Sequence, residues 1–159
     1  MIQSLGCKLV FEPGRMIAGN AGIFVTSVIY SKPAGERTFL ITDGAMNDLI
    51  RPTLYEAHHD VWPVTESTRD NPHIFGDVVG PVCESGDYLA RSRDLPDAKR
   101  GEMLAFLTAG AYGAVQSGTY NSRLLVPEVM VKGSEFSVVR PRKSYEELLE
   151  LDEIAAWQT

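Results

Sequence analysis

Cysteine is scarce in this chain: Cys7 and Cys83 are the two thiols in 159 residues, too few and too far apart for a disulfide framework or a zinc-ligand cluster. Each is read as a free thiol. No apolar run approaches the roughly 18 residues that a membrane-crossing helix needs, and Met1 to Val10 lacks the apolar stretch of a secretory signal. The expectation is a soluble, cytoplasmic protein. Positive charge is not in excess either. With a net charge of -6 and a pI near 5.0, and no basic stripe to collect phosphates, nucleic acid and anionic membrane are disfavoured as partners. A small molecule or another protein remains. Internal repeats and low-complexity runs are also missing, so a hydrophobic content of 44% predicts one ordinary core.

Strand signals dominate what is present. Lys8 to Phe11 reads as a short buried strand stopped by Pro13-Gly14. Ile23 to Tyr30 and Arg37 to Thr42 are rich in β-branched and aromatic residues, and the Pro33-Ala34-Gly35 loop between them predicts a hairpin. Pro52 suits the first turn of a short helix reaching Ala57, which places Arg51 and Tyr55 near one another. Further extended runs are Asp77 to Val82, Met103 to Thr108 and Glu128 to Lys132, the last turning at Gly133 into Glu135 to Arg140. Ser144 and Glu147 have capping-box spacing ahead of an amphipathic helix carrying Tyr145, Leu148, Leu149 and Ile154. The C-terminus reads as natural. Met1 to Gly6 is a stub with nothing earlier to pack against, so a preceding segment is expected.

Three short peptides carry chemistry. Gly80-Pro81-Val82-Cys83-Glu84-Ser85-Gly86-Asp87 sets a soft nucleophile beside a carboxylate. Side chains at successive strand positions point to opposite faces, so residues that must act together there require the bend that Gly86-Asp87 supplies. Glu12-Pro13-Gly14-Arg15 and Ala111-Tyr112-Gly113 have the same look, and a fold that gathers all three makes a polar pocket.

These peptides, with Asp43-Gly44-Ala45-Met46-Asn47-Asp48-Leu49-Ile50-Arg51-Pro52-Thr53-Leu54-Tyr55 and Gly110-Ala111-Tyr112-Gly113, resemble the diaminopimelate decarboxylase family in order and spacing, over almost the whole chain. That family belongs to the fold-type III, alanine-racemase-like enzymes that use pyridoxal 5'-phosphate. The resemblance implies a mainly β fold, a barrel or Greek-key-like C-terminal domain with a few short helices. Residues 17–159 are this domain, and residues 1–16 a remnant of the last strand of a (β/α)₈ barrel that the chain otherwise lacks. The missing barrel carries the family's Schiff-base lysine. None of Lys8, Lys32, Lys99, Lys132 or Lys143 sits in a comparable motif, so the chain alone is expected to be inactive.

By the same resemblance, Glu12, Pro13, Gly14 and Arg15 lie at the cofactor phosphate with Tyr112. Arg15, Arg51, Tyr55, Glu84 and Tyr112 bind meso-diaminopimelate, with guanidinium groups suited to two parallel hydrogen bonds on a carboxylate. Cys83 is the proton donor, since a thiol is mostly protonated at neutral pH yet releases its proton readily. The reaction implied is decarboxylation of meso-2,6-diaminopimelate to L-lysine and CO₂, the last step of lysine biosynthesis. The Cys83-Glu84 turn reaches the active site of a second subunit, which makes a homodimer.

Apart from the resemblance, each residue has a plainer reading. Cys83 alone is more often a small buried hydrophobe, Arg15 and Arg51 surface arginines, and Tyr55 and Tyr112 half-buried core residues. Adjacent His58 and His59 diverge too far to share a metal with His73. Asp87 is read as a turn residue whose carboxylate accepts backbone N–H groups, and Glu146 to Glu150 as a solvated helix face. Two other functions stand beside the first. One is a related decarboxylase acting on ornithine, arginine or a carboxylated polyamine, against which Arg51 and Glu84 argue. The other is a non-catalytic β domain that binds a full-length decarboxylase.

Overall fold

Residues 6–158 are described by the computed structural model. The β-branched runs become β1 (Phe24–Ala34) and β2 (Arg37–Thr42), the expected hairpin, but Pro33 and Ala34, expected in its loop, pair with Thr38 and Arg37, and the turn is Gly35-Glu36. With β3 (Val61–Pro63), β4 (His73–Val79), β5 (Tyr88–Pro96) and β6 (Met103–Phe106) they form a six-stranded sheet in the order β3-β6-β1-β2-β4-β5. β1 serves two neighbours. Its first residues, Phe24 to Ser27, pair with β6, and Val28 to Ala34 pair with β2, the register shifting between Val28 and Tyr30. Such an irregularity bends a strand. The edge strands β3 and β5 approach each other, so the sheet curls into a nearly closed barrel that shelters its open ladder. β7 (Glu128–Lys132) and β8 (Glu135–Arg140) stand apart as a second hairpin.

The core follows from this curl. Val28, Leu40, Val78, Leu89, Leu95, Leu104 and Phe106 are fully enclosed, each contributing about 1.5–3 kcal/mol by leaving water. Leu49 joins them from the long loop after β2, which fixes that loop against the barrel.

β5 was not legible as a strand. Its burial alternation breaks at Arg91 and Ser92, where Ser92 takes a φ of 51° and donates its amide to Asp77 Oδ1 at 2.5 Å. The bulge cancels the period-2 signal, and Pro96 hides the strand's end. The strand expected at Lys8–Phe11 is not formed: residues 6–13 are exposed and unpaired in any sheet. A strand without a partner leaves its N–H and C=O groups unmatched. They lead instead into a short helix, α1 (Gly14–Ala18), which buries no residue. Met1 to Leu5 of the expected remnant lie outside the described residues. β4 ends at Val79, so Gly80 to Val82 belong to the following turn, and β6 stops at Phe106.

α2 (Arg51–Tyr55) starts with proline in its first turn, as expected, but stops short of Ala57 because Glu56 takes a left-handed φ of 52°. α3 (Tyr145–Leu149) has both halves of the Ser144/Glu147 capping box but ends before Ile154. None of its residues is buried, and without tertiary packing a short helix does not propagate. Ser144→Ala is therefore expected to cost α3 about 1 kcal/mol of local stability, read as faster amide exchange at Glu147 with no change in global unfolding. No helix among the described residues is long and apolar enough to cross a membrane.

Candidate active site

The segment from Asp43 to Tyr55 organises the site. Asp43 Oδ1 accepts from Thr26 Oγ1 at 2.5 Å and from the Ser27 amide at 2.8 Å, tying the segment's start to β1. Asp48, buried, accepts from the Ala45 amide at 2.9 Å and from Asn47 Nδ2 at 3.0 Å. Burial pushes the Asp48 carboxyl above its ordinary range, opposed by the Ala45 amide and by Arg123. Arg123 reaches Asn47 Oδ1 at 2.9 Å and the Asp43 carbonyl at 2.5 Å, with Asp48 Oδ2 at 3.6 Å. Asn47 also exchanges hydrogen bonds with Gly118. This network holds the backbone that launches α2.

Arg51 opens α2 and is 9% exposed, with Nε and Nη1 buried and lacking any hydrogen-bond partner. Taking a guanidinium out of water costs several kcal/mol unless a counter-charge repays it. The neighbour found is Tyr112, whose ring centroid lies 6.0 Å from Arg51 Cζ, a contact worth about 0.5–1 kcal/mol. That does not repay the burial, so the geometry calls for an anion from outside the chain.

Tyr112 is itself aimed by strain, with a φ of 59°, a region that bulky residues enter at a cost and that clusters at functional sites. Its hydroxyl lies 3.9 Å from where a Cβ on Gly14 would stand, and no other described atom outside the glycine's own turn comes within 4 Å of that point. Gly14 thus offers open backbone beside a phenolic hydroxyl. Gly110 makes the apposition possible. A Cβ there would fall 2.3 Å from the Ala18 carbonyl oxygen and 2.6 Å from the Gly22 amide, so only glycine admits the Gly110 N–H to Gly19 O bond of 2.9 Å. The residues carrying Glu12, Pro13, Gly14 and Arg15 are sewn to the Tyr112 turn by that contact.

The Cys83-Glu84 turn is anchored to the other flank of α2. Thr53 Oγ1 donates to the Gly86 carbonyl at 2.5 Å, and Asp87 accepts from the Met46 amide at 2.7 Å and the Val82 amide at 2.6 Å. Cys83 and Glu84 are exposed. Glu84 takes a bond from the Gly86 amide at 3.2 Å and one from the Tyr120 hydroxyl at 3.4 Å. Arg51 and Thr53 are two positions apart, about 200° around a helix, so the side chain that meets Tyr112 and the one that holds the Cys83 turn leave α2 in opposite directions. Tyr55, about 40° from Arg51 on the same reckoning, accepts from Gln116 Nε2 at 3.4 Å.

The sequence-predicted residues therefore fall into two sets. One set is Arg51, Tyr55, Tyr112 and the Glu12-Pro13-Gly14-Arg15 turn beside the Tyr112 hydroxyl, and the other is Cys83 with Glu84 on the turn that Thr53 holds. The expected bonding of Asp87 to backbone amides holds. The two histidines diverge as expected: His58 Nε2 meets Asp60 Oδ1 at 3.0 Å at the surface, and His59 turns inward with Nδ1 2.8 Å from the Leu107 carbonyl. Burial lowers the His59 pKa, the Leu107 bond opposes this, and Arg51 and then Arg15 lower it further. No group of three or more metal-binding side chains is found among the described residues. Thr53, Arg123, Tyr120 and the inward role of His59 escaped the sequence reading, since their partners are distant in the chain.

The family model described as pyridoxal-dependent decarboxylase, C-terminal sheet domain, matches residues 15–110. A diaminopimelate decarboxylase from Zymomonas mobilis is 45% identical over 151 residues, spanning 95% of this chain and 35% of the relative. A crystal structure from Aquifex aeolicus superimposes with a TM-score of 0.84 at 43% identity, covering 94% of this chain and 37% of that one. The Helicobacter pylori diaminopimelate decarboxylase complexed with L-lysine gives a TM-score of 0.80 at 36% identity, covering 94% of this chain and 36% of that one. The chain thus spans about a third of the length of the relatives it matches.

Proposed function

Because this chain belongs to the pyridoxal-dependent decarboxylase family as its C-terminal sheet domain, we propose that it forms the substrate-reading half of a cytoplasmic diaminopimelate decarboxylase. The activity is release of CO₂ from meso-diaminopimelate to give L-lysine, the final step of lysine biosynthesis. The observation that carries this reading is Arg51, a buried guanidinium with two unpartnered nitrogens in a long motif shared with the family. A substrate carboxylate supplies the missing charge.

The residues fit pyridoxal phosphate, since Gly14 presents backbone with room beside it next to the Tyr112 hydroxyl, and amide and phenolic donors suit phosphate oxygens. When bound, the cofactor supplies an electron sink for the carbanion that loss of CO₂ leaves. Glu12, Pro13, Gly14 and Arg15 form the turn against its phosphate, with Tyr112 as a further donor. Arg51 pairs with a substrate carboxylate, helped by Arg15 and Tyr55, because a planar fork fixes both distance and orientation. Glu84 takes the ammonium at the far end and so measures substrate length. Cys83 delivers the proton from Sγ to the carbon that loses CO₂.

Cys83 and Glu84 diverge from Arg51 around α2, which supports the reading that they complete the site of a second subunit in a two-fold homodimer. Residues 1–16 are assigned to the end of the (β/α)₈ barrel and residues 17–159 to the sheet domain. The exposed Phe11 and Met16 support burial of that segment against a barrel, which also brings the cofactor's lysine. The test joins this chain to the barrel portion of the Zymomonas mobilis relative and measures CO₂ release. Turnover of meso-diaminopimelate, with Arg51→Lys raising KM about tenfold for the loss of a bidentate charged contact, is the expected result. Equal turnover of ornithine, which has no second carboxylate, would defeat the assignment of substrate.

A further inference from the structure

Glu84 is exposed, and a glutamate at the surface ordinarily keeps much of its rotamer freedom, yet here each carboxylate oxygen is held by a donor of its own. Oε1 accepts from the Gly86 amide at 3.2 Å and Oε2 from the Tyr120 hydroxyl at 3.4 Å. One donor per oxygen fixes the plane of the group and leaves a further lone pair on each for an incoming cation. Tyr120 itself is 53% exposed, so it does not serve to fill the core. Its place is secured by backbone that is both strained and gripped. Asn121 and Ser122 follow it with φ of 59° and 55°, two successive non-glycine residues in the left-handed region, which persist there only where the surroundings enforce it. Asn47 does so on either side of Tyr120. Its carbonyl accepts from the Gly118 amide at 2.8 Å and its Nδ2 donates to the Gly118 carbonyl at 3.2 Å, while its Oδ1 accepts from Arg123 Nε at 2.9 Å. Strain and grip together aim one phenolic hydroxyl at one carboxylate 36 positions away in the chain.

We propose that Tyr120 is a positioning residue for Glu84 and, through it, a determinant of substrate specificity. The hydroxyl presents the carboxylate already oriented to the distal ammonium of the substrate, so less freedom is lost on binding. A ligand with an amino group at that end is thereby favoured over one of equal length without it. The inference rests on the reading of Glu84 as the group that takes the ammonium.

Two ligands test it in the enzyme rejoined to a barrel: meso-diaminopimelate, and 2-aminopimelate, which keeps the length and both carboxylates but has no distal amine. Tyr120→Phe removes only the hydroxyl. It is expected to raise KM for meso-diaminopimelate about fivefold, the equivalent of one hydrogen bond of ordinary net strength, with kcat and the thermal midpoint unchanged. The inhibition constant of 2-aminopimelate is expected to stay at its wild-type value, because Glu84 then has no ammonium to meet. A merely structural role for Tyr120 would move both constants together. Added to Glu84→Ala, the same substitution is expected to change nothing further. In the full chain labelled with ¹³C-glutamate, the Glu84 carboxyl resonance is expected to move in Tyr120→Phe. An unmoved resonance, equal losses with the two ligands, or an unchanged KM in Tyr120→Phe where Glu84→Ala raises it would overturn the proposal. If Glu84→Ala also leaves KM unchanged, the ammonium reading of Glu84 fails instead, and the resonance still reports whether Tyr120 holds the carboxylate.

Discussion

Cys83→Ala in the rejoined enzyme is expected to lower kcat about 10³-fold, the range for loss of a positioned proton donor, with KM for meso-diaminopimelate and the thermal midpoint little changed. Arg51→Ala is expected to lower kcat/KM by about 10²–10³, as when one partner of a buried charge pair is removed. Mixing the two inactive variants is the informative experiment. Tyr112 meets Arg51 on one side of α2 and the Cys83 turn is held by Thr53 on the other. If each site draws Arg51 from one subunit and Cys83 from the other, a mixed dimer has one site with both residues intact and one with neither. Random reassociation makes half of the dimers mixed, so about a quarter of wild-type activity returns. No recovery after subunit exchange would mean that Cys83 serves its own chain, and the shared-site reading would fail.

The strands that carry the fold announced themselves where β-branched and aromatic residues cluster, as in β1 and β2, and at the turn that joins β7 to β8. β5 did not, because Ser92 bulges against Asp77 and the bulge erases the alternation by which a strand is recognised. The strand expected at Lys8–Phe11 failed for a different reason. Its apolar residues fit a strand, but strand formation depends on a partner's hydrogen bonds, which composition alone does not supply.

The site was legible to the extent that its residues are adjacent in sequence. The Asp43 to Tyr55 peptide holds Arg51 and Tyr55 within one helical turn, and spacing suffices to bring them together. What was not legible is which side of α2 each distant peptide reaches. That depends on Gly110 admitting the Ala18 carbonyl and on Arg123 binding Asp43, Asn47 and Asp48. These contacts join residues more than 70 positions apart. Arg123 has no helical or strand periodicity around it to mark it, and His59 looks in sequence like half of a metal pair. Its inward turn shows only where Leu107 takes Nδ1 and burial leaves its second nitrogen unpaired.

Asp87→Ala is expected to cost about 3 kcal/mol, because two amides from separate segments, Met46 and Val82, lose a carboxylate acceptor together and the Val82 amide is left buried without a partner. Gly80 is part of the same fitting: a Cβ there would stand 2.4 and 2.5 Å from the two carboxylate oxygens, so the glycine is what lets the carboxylate enter between the turn and Ala45. Asp87→Asn should recover part of the loss, since one oxygen still accepts while the amide NH₂ faces a second N–H it cannot satisfy. Denaturant unfolding of the three chains measures the order wild type, Asn, Ala. If Cys83 works from this turn, kcat of the corresponding enzymes rejoined to a barrel must fall in the same order under conditions where all three remain folded, for a thiol displaced by about 1 Å can lose about 10²-fold in rate. An Asp87→Ala chain as stable as wild type would show that the peg does not hold the turn. A chain destabilised but fully active would separate the turn's rigidity from the delivery of the proton, and with it the reason for placing Cys83 there.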